Sequence, residues 1–145
     1  MSDLPTNDAL VRRRGAVAVI ERQGTLLVIR RSQTVVAPGA FCFPGGGIEA
    51  GESEPQALVR ELQEELQVVV RPVRRLWSSV TPWRVELAWW QAELAADAVP
   101  VPAPAEVESV HWHTPGEIAG LPGLLESNLQ FLAALARNEF ALSVR

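Results

Sequence analysis

The sequence has no lysine, one cysteine and no long apolar segment, and each shortage excludes a class of protein. All 13 basic residues are arginines, so chemistry that needs a lysine amine, such as a Schiff base or a Walker-type phosphate loop, is excluded. With Cys42 alone, no disulfide can form within the chain. Aliphatic runs such as those at 16–20 and 26–29 are far shorter than the ~20 residues that span a bilayer. We therefore expect no membrane partner.

The composition indicates one globular domain. Of 145 residues, 48% are apolar and 21% are charged, and a chain of this length can bury a sizeable core. The net charge of −4 is the wrong sign for a protein that binds a nucleic acid polymer. The first residues carry two Asp and a Pro instead of the basic start and apolar centre of a signal peptide, so a cytoplasmic location is expected. We predict a loosely ordered leader at 1–12 and a single domain at 13–145.

Strands and helices alternate along the predicted domain. Six β-branched or alternating segments predict strands, at 15–21, 25–30, 41–43, 68–80, 83–94 and 107–113. Three segments with helix-start signals or apolar residues at helical spacing predict helices, at 53–66, 114–119 and 124–138. The segment 95–105 is rich in Pro and Ala and predicts an exposed loop. The pattern is typical of an α/β or α+β protein with a mixed sheet.

Three carboxylates share one face of the helix predicted at 53–66. Glu61, Glu64 and Glu65 stand at positions i, i+3 and i+4, where like charges repel one another. A hard divalent cation such as Mg²⁺ would offset this repulsion, because it prefers carboxylate oxygens and shares its ligand shell with phosphates. An ordinary solvated acidic face is the alternative interpretation.

A glycine-rich segment leads into this helix. Three glycines at 45–47 follow a strand, and Gly51 lies just before the helix. Such a segment lets backbone groups approach a ligand, and at a helix N-terminus it is suited to phosphate. A tight turn would explain the glycines equally well. The combination with three carboxylates at fixed spacing is a much stronger signal for a phosphate and metal site.

Residues 46–68 resemble the Nudix box, G-x5-E-x7-R-E-U-x-E-E-x-G-U, in which U is a bulky aliphatic residue. The positions that match are Gly46, Glu52, Arg60, Glu61, Leu62, Glu64, Glu65 and Val68. The one departure is Gln67, which stands where the family has a glycine that ends the helix in a left-handed conformation. A Gln there is expected to cost roughly 1 kcal/mol. The resemblance implies a Nudix-type α/β/α sandwich with a mixed central sheet and the Nudix loop-helix.

The resemblance also implies roles for individual residues. Glu61, Glu64, Glu65 and the backbone carbonyl of Gly45 would hold Mg²⁺ or Mn²⁺. Glu52 and Arg60 would form a charge pair that supports the loop against the helix. Glu61 would be the general base, although some family members use a glutamate from a downstream loop. The family further allows a homodimer.

The wider chain resembles the MutT-like branch, whose members hydrolyse nucleoside triphosphates, including oxidised dGTP. Arg31, with Arg30 at the end of the second strand, matches an arginine that reaches the phosphates, or is an exposed strand end. Glu106, six residues before Trp112, matches a further metal or base residue, and Glu108 competes for that role. Asn128 matches an asparagine that bonds a purine edge, or is a helix N-cap.

Two further residues complete the predicted substrate site. The backbone of Gly46 is expected to lie close to the phosphates. Trp83, beside the turn predicted at 81–82, is a candidate for stacking on the base. The expected function is Mg²⁺-dependent hydrolysis of a nucleoside diphosphate linked to another moiety. The favoured substrate is a nucleoside triphosphate such as 8-oxo-dGTP, cleaved to monophosphate and pyrophosphate.

Three alternatives remain open. Residues 39–46 match part of the segment that precedes the box in coenzyme A pyrophosphatases, although its spacing from Ser32 is two residues short. Pro82 lies near, but not at, the position associated with ADP-ribose pyrophosphatases. A catalytically inactive nucleotide sensor is the non-enzyme alternative, and the presence of every box glutamate favours catalysis over it.

Overall fold

A computed structural model describes residues 13–142, so the leader predicted at 1–12 lies outside the described residues. The described part contains seven strands, which are β1 (Arg13–Arg22), β2 (Thr25–Arg31), β3 (Phe41–Cys42), β4 (Gly45–Gly47), β5 (Val70–Val80), β6 (Val85–Leu94) and β7 (Val107–His113). It also contains three helices, which are α1 (Glu54–Leu66), α2 (Pro115–Ala119) and α3 (Glu126–Ala136). Within 13–142, every helix is too short or too polar to cross a membrane.

The sheet is mixed and centred on β1. β1 runs parallel to β6 from the pair Arg13–Val85 to the pair Ile20–Ala92, and β6 pairs antiparallel with β5. The predicted hairpin of β1 and β2 forms, but the two strands pair with each other only beside the turn, at Glu21–Leu26 and Arg22–Thr25. Beyond them the two strands diverge, because β1 pairs with β4 along the same edge while β2 pairs with β3 and β7.

Helix α1 covers one face of this sheet. It starts with the predicted capping box, in which the Ser53 side chain accepts the Gln56 N–H and the Gln56 side chain accepts the Ser53 N–H. It ends at Gln67, whose φ of 55° and ψ of 38° are left-handed, as the box pattern predicts for this position. Its apolar stripe is fully buried against the sheet and consists of Ala57, Leu58, Leu62 and Leu66.

Helices α2 and α3 cover the opposite face. Phe131 of α3 is completely buried and stacks on Trp89 of β6 with 4.6 Å between ring centroids. Ile118 of α2 and Leu132 of α3 join the same apolar cluster, with Val17 and other residues of the sheet beneath them. Helices on both faces of the sheet make the molecule an α/β/α sandwich, as predicted.

Several predicted boundaries differ from the observed ones: β1 begins two residues earlier than predicted, at Arg13, and β5 begins two residues later, at Val70. The glycines at 45–47 form the short strand β4 instead of a loop, because they pair antiparallel with residues 15–17 of β1. β6 begins at Val85, two residues later than predicted, because residues 81–84 form a turn with Arg84 at a φ of 62°. α3 spans only 126–136, since Leu125 is its N-cap and Arg137 its C-cap.

Candidate active site

Three carboxylates meet at the C-terminal half of α1. Glu61 and Glu65 project from this helix, and Glu106 joins them from the turn just before β7. One oxygen of each lies within 4.8 Å of the others. Glu65 is only 6% exposed, and its Oε1 accepts the Gly45 N–H at 3.1 Å. The structure thus gathers three of the four carboxylates predicted to bind metal.

The fourth predicted carboxylate and the competing downstream residue have other partners. Glu64 is half exposed, and its Oε1 lies 3.2 Å from a terminal nitrogen of Arg60. Glu108 forms an ion pair with Arg30 at 3.3 Å and accepts a hydrogen bond from Gln33. Of the two downstream candidates, Glu106 is therefore the one near Glu61 and Glu65.

Arg60 connects the loop before α1 with the acidic face of the helix. Its Nε and one terminal nitrogen donate to the two oxygens of Glu52 at 2.7 and 2.9 Å. The same terminal nitrogen donates to the Gly47 carbonyl at 2.8 Å, and the other donates to Glu61 at 2.9 Å. Hydrogen bonds from Arg60 lower the pKa of Glu52 to about 2. This geometry is that of a support for the loop.

The cluster of three carboxylates is electrostatically unfavourable without a cation. Burial raises the pKa of Glu65 to about 8, with a further contribution from the nearby charge of Glu61. Burial also raises the pKa of Glu61, against the opposing effect of Arg60. A divalent ion would relieve both effects, and carboxylate oxygens are the ligands that Mg²⁺ and Mn²⁺ prefer. The residues present therefore fit such an ion.

The glycine strand β4 forms the wall beside this cluster. A Cβ atom at Gly46 would overlap the carboxylate of Glu61. The absence of a side chain at this position therefore leaves room for Glu61. At Gly45 the φ is +152°, and a Cβ atom would overlap the Ala16 carbonyl of β1. These two glycines allow α1 and the sheet to approach closely enough to enclose the carboxylates.

A cavity of about 430 Å³ opens beside the glycine strand. The starts of β1, β6 and α3 surround it, together with β4 and Arg31. Arg13 and Arg14 line it as well, and no Asp or Glu is among the described lining residues. The sequence motifs do not point to Arg13 or Arg14, although a pair of arginines that opens a strand is a visible signal. The cavity is suited to an anionic ligand.

Arg31 and Asn128 both line this cavity. The Nε of Arg31 donates to the Val36 carbonyl at 2.6 Å. Asn128 is buried, its Oδ1 accepts the Phe43 N–H at 2.8 Å, and its Nδ2 donates to Ser127 at 3.1 Å. Asn128 is the third residue of α3 and not its N-cap. Ser127, its neighbour on the helix, also lines the cavity and has no motif that predicts it.

Trp83 is not brought to the cavity. It lies in the turn between β5 and β6, is 78% exposed, and is not among the described residues that line the cavity. The nearest lining residues along the chain are Val85 and Leu87, which belong to β6 proper.

Comparison with known proteins identifies the family. The model of the NUDIX domain matches residues 10–135, and the chain therefore belongs to the NUDIX domain family. It is 33% identical over 87 residues to the NAD-capped RNA hydrolase NudC of Stutzerimonas stutzeri (strain A1501), an alignment that covers 59% of this chain and 31% of that protein. The chain thus spans about a third of the length of this curated relative.

Two solved structures have the same fold. The solution structure of the E. coli ORF135 protein has a TM-score of 0.74 and 24% identity, covering 95% of this chain and 96% of that one. The crystal structure of the MutT protein from Methanosarcina mazei Go1 has a TM-score of 0.74 and 20% identity, covering 88% of this chain and 95% of that one. At these identities, the likeness establishes the fold.

Proposed function

We propose that the chain hydrolyses nucleoside diphosphate-linked compounds with the aid of Mg²⁺ or Mn²⁺. The favoured substrate is a nucleoside triphosphate, including one with an oxidised purine, which is cleaved to a monophosphate and pyrophosphate. The observation that carries the proposal is the cluster of Glu61, Glu65 and Glu106 beside a cavity lined by arginines and by no carboxylate among the described residues.

Glu61, Glu65 and Glu106 are the residues that would hold the cation, with Glu64 and the Gly45 carbonyl as the remaining members of the ligand set. When bound, the cation would offset the charge of the diphosphate and lower the pKa of a water molecule. The hard oxygen donors of this set match Mg²⁺ and Mn²⁺.

The other roles in the reaction are assigned to individual side chains. Glu61 would accept the proton of the attacking water, because its carboxylate belongs to the cluster that would hold the cation. Glu106 is the alternative base because its carboxylate lies in the same cluster. Arg31 would bind the phosphates from the cavity wall, and Arg60 would hold Glu61 in place. Water adds to one phosphorus, and the oxygen bridging to the next phosphate leaves.

The far end of the cavity would hold the nucleoside. Ser127 and Asn128 of α3 line the cavity, together with the apolar residues Val17 of β1 and Val85 and Leu87 of β6. A dinucleotide is the second candidate, because the NudC relative is named as a hydrolase of NAD-capped RNA and shares 33% identity over 87 residues. In both candidates the scissile bond is a phosphoanhydride.

A substrate screen with product masses tests the proposal. The purified chain is incubated with Mg²⁺ or Mn²⁺ and each of the dNTPs, 8-oxo-dGTP, NAD, ADP-ribose and coenzyme A. Monophosphate plus pyrophosphate from a triphosphate is the expected result, and two monophosphates from NAD or ADP-ribose would favour the second candidate. Absence of turnover on every compound would reject hydrolysis and favour a nucleotide sensor. As a control, Glu108→Gln should keep the activity of the wild type, because this glutamate pairs with Arg30 and lies outside the cluster.

A further inference from the structure

The segment that carries Glu106 is attached to the C-terminal end of α1. The Ala103 N–H donates to the Glu65 carbonyl at 2.9 Å, and the Val101 N–H donates to the Leu66 carbonyl at 2.8 Å. Carbonyls at a helix end have no partner within the helix, so an adjacent segment can bind them. The segment that ends at Glu106 is therefore bonded to the backbone of Glu65, and the Glu106 carboxylate lies close to the side chain of the same Glu65.

Ser32 holds the same turn from the opposite side. It follows β2 directly and is only 6% exposed. Its N–H donates to the Glu106 carbonyl at 3.1 Å, and its Oγ donates to the Ala105 carbonyl at 2.9 Å. The exposed Thr34 adds a second hydroxyl bond to the Ala105 carbonyl at 3.1 Å. Two bonds from one buried serine thus fix consecutive peptide groups at Glu106.

We propose that Ser32 is a positioning residue that keeps the Glu106 carboxylate within reach of Glu61 and Glu65, so that a divalent cation finds three ligands already assembled. The inference rests on the metal site of the proposed function. Glu106 is exposed and lies in a turn. If nothing held this turn, its backbone and the Glu106 side chain would both have to become ordered when the ion binds, at a cost in conformational entropy. Ser32 reduces that ordering cost before the ion arrives.

The expected effect is a loss of cation affinity that operates through Glu106. Ser32→Ala removes the hydroxyl bond to the Ala105 carbonyl and keeps the backbone bond to Glu106. Residues that orient metal ligands typically contribute about tenfold or more to affinity, so this partial loss should weaken Mn²⁺ binding by up to about tenfold. If Ser32 acts through Glu106, the double variant with Glu106→Gln should bind Mn²⁺ no more weakly than Glu106→Gln alone. Independent roles would instead make the two losses multiply.

The test is a Mn²⁺ titration of the full chain without substrate, followed by the electron paramagnetic resonance of free Mn²⁺. Thermal unfolding in EDTA reports whether each variant is folded. Ser109→Ala is the matched control: it removes a hydroxyl on β7 that contacts His111 at 2.7 Å and does not touch the Glu106 turn. This control should bind Mn²⁺ as the wild type does.

Three results would overturn the proposal: unchanged Mn²⁺ affinity in Ser32→Ala, a full further loss in the Glu106→Gln background, or no Mn²⁺ binding by the wild type. If Ser32→Ala fails to fold, Thr34→Ala replaces it, because it removes the second bond to Ala105 from an exposed position. Its loss should be smaller and should also vanish in the Glu106→Gln background. A wild type that binds Mn²⁺ but hydrolyses nothing in the substrate screen would reject only the proposed function.

Discussion

Each end of helix α1 carries a carboxylate that is shielded from solvent, but the charges around the two carboxylates differ in sign. They are positive around the first carboxylate and negative around the second. At the first turn, Glu54 accepts a hydrogen bond from the Trp90 indole at 2.8 Å and one from Arg14 at 3.1 Å. Arg75 lies 3.5 Å from the same carboxylate. Glu54 is therefore held by cations and donors that belong to the chain.

At the last turn the surroundings are reversed. Glu65 is more deeply buried, accepts one backbone N–H, and has the carboxylates of Glu61 and Glu106 as its neighbours. The difference separates two uses of the same residue type. A carboxylate whose charge is balanced by the fold contributes to the fold, whereas one gathered with like charges destabilises the fold until a cation binds.

The strongest test of this contrast is the pair Glu65→Gln and Glu54→Gln. Glu65→Gln removes a proposed metal ligand, so Mn²⁺ affinity and the rate of nucleotide hydrolysis should each fall by about 100-fold or more. Glu54→Gln should leave Mn²⁺ affinity unchanged and lower the free energy of unfolding by about 1–3 kcal/mol, because hydrogen bonds to a charged group are lost. Metal titration and urea unfolding measure the two effects. Equal effects of the two variants on either quantity would contradict the contrast.

A smaller effect is expected from a methyl group beside the cluster. In Gly46→Ala the new Cβ overlaps the Glu61 carboxylate, so Glu61 must move, and hydrolysis should slow by about tenfold or more. Gly47→Ala is the matched comparison, because a Cβ there meets nothing within 4 Å and the backbone is not left-handed. Mn²⁺ affinity and the hydrolysis rate of the two variants are measured side by side. A Gly46→Ala protein that matches Gly47→Ala in both would show that Glu61 does not need its observed position.

The smallest effect is the pH dependence of stability without metal. The pKa of Glu65 rises from its ordinary 4.5 to about 8 in the folded chain, so between these values the folded state retains a proton that the unfolded state has lost. Stability in EDTA should therefore fall as pH rises from about 4.5 to 8, by several degrees in Tm. The fall should be weaker in Glu65→Gln, and Mg²⁺ should oppose it increasingly as pH rises. A Tm in EDTA that rises across this range would contradict the assignment.

The features of α1 are predictable from sequence because they are local. Its capping box, its leucine stripe and its left-handed end at Gln67 each depend on residues within one or two turns. The spacing of Glu61 and Glu65 on one face follows from the same helical geometry. Local periodicity is thus sufficient for the element that carries most of the proposed ligands.

The rest depends on contacts between distant segments. The position of Glu106 beside Glu61 and Glu65 depends on the pairing of β7 with β2 and on the bond from the Ser32 N–H to the Glu106 carbonyl, which no local pattern encodes. The strand character of the glycines at 45–47 depends on their pairing with β1. The cavity is lined by residues of five strands and one helix end, so its lining could be predicted only in part, through Arg31, Gly46 and Asn128.

The stacking of Trp89 on Phe131 gives the chain a fluorescent reporter of its own. Trp89 is sealed from water and also meets the edge of Phe43, a residue that lines the cavity. A ligand in the cavity would lie beside Phe43, so we expect the emission of Trp89 to change when the cavity is occupied. Trp83, exposed in its turn, emits at longer wavelength, and the absence of tyrosine leaves indole as the only strong emitter. Occupancy of the cavity should therefore be visible as a change in the summed emission of the five tryptophans, without an added dye.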